Sequence, residues 1–180
     1  MNRLLINFFA FQAGWFGCVL GAANGYPMVG PIAVFLAASL HLALAQEPRK
    51  ELILISLAAV IGACFDTLLL QTGWLTYANG MLLSGTAPYW IVAMWLLFAT
   101  TLNVSLRWLR NNYYIAALLG LIGGPLSYYG GAKLGGLTFI SPAPALIALA
   151  LGWAFVTPLL VWLSERFDGF QPNDEVMQHA

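Results

Sequence analysis

The stretch LILISLAAVIGACFDTLLLQTG, residues 52–73, carries one charged side chain, Asp66, in an otherwise apolar run. A helix rises 1.5 Å per residue, so about 20 such residues cover the roughly 30 Å hydrocarbon layer of a bilayer. A helix also satisfies its own backbone hydrogen bonds, which lipid cannot do. Comparable runs recur at Leu4–Ala23, Tyr26–Ala45, Pro88–Leu106, Tyr113–Leu134 and Pro142–Leu163. The pattern predicts an all-α polytopic membrane bundle of six transmembrane helices. It forms one domain over residues 1–164, followed by a short polar tail, 165–180.

Composition agrees with that pattern. Of 180 residues, 61% are hydrophobic and 8% charged, against about 25% charged in a soluble domain. Seven Lys and Arg balance seven Asp and Glu, so no basic field exists to hold nucleic acid. Cys18 and Cys64 lie in apolar runs without CxxC spacing and read as small packing residues. The start, Arg3 followed by an apolar run and Gly-Ala-Ala-Asn, imitates a signal peptide. Asn7, Gln12 and Trp15 inside the run favour a retained helix.

Positive charge falls on alternate connections: Arg3, then Arg49 and Lys50, then Arg107 and Arg110, then Arg166, with Lys133 alone on the other side. By the positive-inside rule both termini are expected in the cytoplasm. Trp74, Tyr77, Tyr89 and Trp90 would mark the outer interface, and Trp108, Tyr113, Tyr114 and Trp162 the inner one.

Small residues at helical spacing offer close helix contact. They are Gly14, Cys18, Gly21 and Gly25 in the first run, Ala59 and Gly62 in the third, and Gly120, Gly124, Ser127 and Gly131 in the fifth. Such faces serve either the bundle interior or a homo-oligomer. Gly123-Gly124-Pro125 predicts a kink or break in the fifth helix, because proline removes a donor and clashes with the preceding turn.

An acid inside a span is costly and calls for a partner, and Lys133 is the natural one for Asp66. Two readings stand side by side. One is a polar pocket open to the outside, binding or transporting a small solute and lined by Asp66, Gln71, Tyr128, Tyr129, Lys133, Gln12 and Asn24. The other is an ion-pair clamp between the third and fifth helices. His41, Asn103, Asn7 and Thr100 form a second, inner polar group that reads as anchoring. No HExxH, paired acids, Ser/His/Asp set, phosphate loop or dinucleotide loop occurs. Neither catalytic residues nor a metal or other cofactor is therefore expected, and the expected partners are the bilayer with a small molecule or a membrane protein. As an accessory or scaffold subunit, the chain would dock through its glycine faces.

Several of these residues together resemble a known family. They are Phe11-Gln12-Ala13-Gly14-Trp15-Phe16, Gly62 with Asp66, Pro88-Tyr89-Trp90 with Trp95, Phe98 and Ala99, and Gly123-Gly124-Pro125-Leu126-Ser127-Tyr128. The family is that of small bacterial inner-membrane proteins catalogued as domain of unknown function 2878, and the likeness spans nearly the whole chain. It implies a location in a proteobacterial cytoplasmic membrane and brings no activity with it. Such families are often encoded beside lipid-modifying enzymes, which implies a role in membrane-lipid or stress physiology.

Overall fold

A computed structural model describes residues 3–170. The chain is mostly helical, with α1 (Arg3–Ala23), α2 (Val29–Leu44), α3 (Pro48–Gln71), α4 (Tyr89–Leu102), α5 (Tyr113–Lys133) and α6 (Pro142–Arg166). Each helix falls within one of the apolar runs or overlaps it closely. α3 and α6 both start with a proline in the first turn, where its missing N–H costs nothing. α1, α3, α5 and α6 are long and apolar enough to cross a membrane, whereas α2 and α4 are shorter apolar helices of 16 and 14 residues.

The bundle consists of three helical hairpins, α1–α2, α3–α4 and α5–α6, with α4 also packed on α1 and α2. α4 is the shortest helix and the most central. Trp90, Trp95, Leu97, Ala99 and Leu102 are all buried. The surrounding helices turn apolar side chains outward, with Phe35, Val60, Leu68, Leu151 and Phe155 each more than 60% exposed.

Glycine faces set the helix spacing, and they point inward. A Cβ at Gly30 would stand 2.3 Å from the Cys18 Cα, at Gly62 2.0 Å from the Trp95 ring, and at Gly124 2.3 Å from the Trp153 ring. These helices approach closely because nothing larger than hydrogen lies between them.

Four expectations need correction. The fold is not purely helical: β1 (Leu75–Tyr77) and β2 (Leu137–Phe139) pair antiparallel, Leu75 opposite Phe139. Gly73 (φ +71°) and Gly135 (φ +89°) turn the chain out of α3 and α5 into these strands, in a conformation that suits glycine. Second, α5 is not broken at Gly123-Gly124-Pro125 but runs through Pro125 as one helix. Only a single backbone donor is missing there, and Gly120 and Gly124 give Trp153 room to pack alongside. Third, Tyr77 and Trp90 are not interface anchors. Both are buried, Trp90 donating from Nε1 to the Asn79 carbonyl at 2.9 Å.

The fourth correction concerns the tail. α6 continues to Arg166, and residues 167–170 fold back onto the bundle, with the Gly169 carbonyl accepting from the N–H groups of Gln46 (2.8 Å) and Glu47 (3.1 Å). Residues 171–180, including His179, lie outside the described residues.

Candidate functional site

α3 buries Asp66 completely, on the same face as Gly62. Its Oδ1 accepts from the Tyr77 hydroxyl at 2.5 Å and the Tyr128 hydroxyl at 2.7 Å, and its Oδ2 accepts from Trp95 Nε1 at 2.7 Å. One carboxyl group therefore joins α3, α4, α5 and β1. Donors of this kind compensate a buried carboxylate, and the ribbon closes over it through Tyr77.

Lys133 is not its partner. The lysine is exposed at the end of α5, its Nζ 5.3 Å from the centre of the Tyr129 ring. Tyr129, Gln71 and Asn24 are exposed as well. Tyr128 points inward and its neighbour Tyr129 outward because adjacent helix positions diverge by about 100°. Of the predicted pocket residues, the structure brings Asp66 and Tyr128 together and places Gln12 near them, in the wall of a cavity.

That cavity, of about 580 Å³, lies between α1, α4, α5 and α6. Its size suits a small organic ligand. Trp95 and Tyr128 separate it from Asp66, so the wall it presents is aromatic. Trp95 and Trp153 stack at 4.6 Å with planes 14° apart, and Phe98 and Tyr128 meet Trp153 edge-on. α1 and α5 flank the opening, bridged by a hydrogen bond from Trp15 Nε1 to Ser127 Oγ at 3.1 Å. Phe8, Phe16 and Leu126 line the cavity and are also 44–62% exposed on the bundle's flank. The expected polar pocket facing outside is thus replaced by an apolar one opening sideways.

The inner polar group is larger than the sequence reading had it. His41 Nε2 lies 2.8 Å from Glu51 Oε2, and Glu51 Oε1 accepts from Asn103 Nδ2 (2.6 Å) and the Gly169 N–H (2.7 Å). Glu51 is fully buried, so α3 carries two buried acids, the second lying just ahead of the apolar run 52–73. Asn7 joins instead to α4, donating to the Thr100 carbonyl at 2.9 Å and accepting from Ser105.

Asp168 fastens the returning segment, pairing with Arg107 Nη2 at 2.6 Å and Arg110 Nη1 at 2.7 Å. Burial by itself raises this carboxyl. Hydrogen bonds from Arg110 and the Phe170 N–H, with the charges of Arg110 and Arg107, outweigh it and hold the group below its ordinary 3.8. A carboxyl lowered on folding contributes stability above its unfolded value and loses it as pH falls through the folded one. Residues 167–170 are accordingly expected to stay docked down to about pH 4 and to release only in stronger acid. Pepsin cleavage across falling pH, compared with Asp168→Asn, checks this, and release of the native segment already near pH 5 would contradict it.

In comparison with known families, residues 4–159 match the model described as "Protein of unknown function (DUF2878)". No curated protein and no solved structure matches the chain.

Proposed function

The chain belongs to the DUF2878 family, and we propose that it is a bacterial inner-membrane protein that binds a lipid-soluble small molecule without transforming it. In this reading all six helices cross the bilayer and both termini face the cytoplasm. The alternating positive connections support the orientation, and the outward apolar side chains support the environment. The shortness of α4 is no obstacle, because its neighbours rather than lipid surround it. Bilayer and ligand are then the partners. The glycine faces, packed within the bundle, lend no support to a scaffold role.

The 580 Å³ cavity carries the reading. An unfilled apolar volume of this size forfeits dispersion contacts along its whole wall, and an apolar occupant restores them. Its opening between α1 and α5 faces the side from which a molecule dissolved in lipid would arrive. Asp66 and its three donors hold Trp95 and Tyr128 in place behind the wall, so the predicted acid serves the site as a positioning residue.

Gly123 supplies the test. It lines the cavity, and a Cβ there would meet nothing within 4 Å, so Gly123→Phe fills the space without displacing a helix. Protein purified in mild detergent should retain a lipophilic molecule visible by mass spectrometry of an organic extract. Gly123→Phe should retain about tenfold less at equal thermal stability. Equal retention by both proteins would refute the reading.

A further inference from the structure

α1 turns one stripe toward the cavity. Phe8, Phe11, Gln12, Trp15 and Phe16 all line it, and in a helix that turns about 100° per residue these positions form one face with Gln12 well inside its edges. Gln12 is partly buried and makes no hydrogen bond to any of the described residues. Neither end of its amide is sealed by packing, so both are open to an occupant. In the bilayer reading the middle of α1 (Arg3–Ala23) lies near the membrane midplane, where lipid offers an amide no partner.

Ser127 adds a second such group on α5. The helical hydroxyls of Ser56, Thr100, Thr101 and Ser164 each donate to a carbonyl of their own preceding turn. Ser127 lines the cavity and instead accepts, from Trp15 Nε1 at 3.1 Å, which leaves its hydroxyl proton without an acceptor among the described residues. Trp15 follows Gln12 by one turn, roughly 4.5 Å of rise, so the amide and the hydroxyl lie within reach of one small head group.

These two groups and the wall around them define the occupant. Ser127 has a proton to give and the Gln12 oxygen has a lone pair to offer, so the head group must both accept and donate. A ketone or an ether only accepts and would leave the Gln12 oxygen bare, whereas a hydroxyl does both. No Lys, Arg, His, Asp or Glu among the described residues lines the cavity, so an acid or phosphate head would find no counter-charge. The remaining wall is apolar and opens sideways past Phe8 and Phe16, which gives a hydrocarbon tail its path to lipid.

We propose that the cavity binds a neutral lipid alcohol, its hydroxyl donating to the Gln12 amide oxygen and accepting from Ser127. This rests on the binding function proposed above and names its ligand class. The probe is tritiated hexadecanol, added to the purified full chain immobilised in mild detergent and read by scintillation proximity. Saturable binding is expected, displaced about tenfold more readily by unlabelled hexadecanol than by hexadecane, hexadecyl methyl ether or palmitate. Gln12→Leu should bind the probe about tenfold more weakly and lose that preference, so that hexadecanol and hexadecane compete alike.

Displacement by the methyl ether as readily as by the alcohol would overturn the hydroxyl as the recognised group, and that comparison needs no variant to fold. An undiminished preference in Gln12→Leu would overturn the pairing with Gln12. Absence of saturable hexadecanol binding would overturn the ligand class. If the wild type still yields on extraction a lipophilic molecule that Gly123→Phe loses, the binding function survives that failure. If it yields none, both fall.

Discussion

Asp66→Ala is expected to destabilise the fold by about 3–5 kcal/mol, because it strands three buried donors at once. Tyr77, Tyr128 and Trp95 all donate to this one carboxyl, which sits between four elements. Each orphaned donor costs about 1–3 kcal/mol, and the sum is less than additive because the three share one centre. Asp66→Asn keeps an oxygen for the tyrosines but turns an amide toward the indole, and should cost less than the alanine. Tyr77→Phe and Tyr128→Phe leave the carboxyl with other donors and should cost about 1 kcal/mol each. Denaturant or thermal unfolding in detergent ranks the four variants. An alanine variant as stable as wild type would show that the network does not form.

Glu51→Ala should be comparably severe, near 3–5 kcal/mol, since breaking a buried pair leaves His41, Asn103 and the Gly169 N–H without their shared acceptor. Its signature is different. The returning segment loses one of its ties, so a cysteine introduced as Phe170→Cys should react with a soluble maleimide much faster when Glu51→Ala is also present. Glu51→Gln retains the oxygen that serves Asn103 and Gly169, and should leave labelling slow. Equal labelling with and without Glu51→Ala would mean that Asp168 and the Gly169 carbonyl hold the segment without Glu51.

These two acids also mark how far the sequence could be read. Asp66 stood out because it interrupts an apolar run, and its face followed from helical spacing with Gly62. Its partners did not follow. Tyr77 lies on a ribbon whose second strand is some sixty residues away, and three residues per strand leave too short a pattern to read. Lys133 was attractive by charge, yet two phenols and an indole satisfy a buried carboxyl without a second ion to desolvate. Glu51 was hidden by its neighbours, since Glu47, Arg49 and Lys50 make the stretch look like a solvated loop. Only the third dimension shows it turned away from them, one helical turn into α3.

The cavity was likewise legible in parts, not as a whole. Gln12 and Tyr128 were singled out as pocket residues, and Gly123 as a feature of the fifth helix, but nothing in the sequence ties Trp153 or Thr157 to a pocket. A tryptophan and a threonine in an apolar helix carry no local signal.

What the opening stretch and its five counterparts determined alone were the six helices and their approximate limits, because hydrophobic run length is a local property that the backbone must answer with a helix in an apolar medium. The tertiary structure decided that the glycine faces pack inward, that Pro125 leaves α5 continuous, that Asp66 is held by Tyr77, Tyr128 and Trp95, and that a cavity lies between α1 and α5. Each of those depends on which side chains from distant segments share a few ångströms, and hydrogen bonding and close packing act only over that distance.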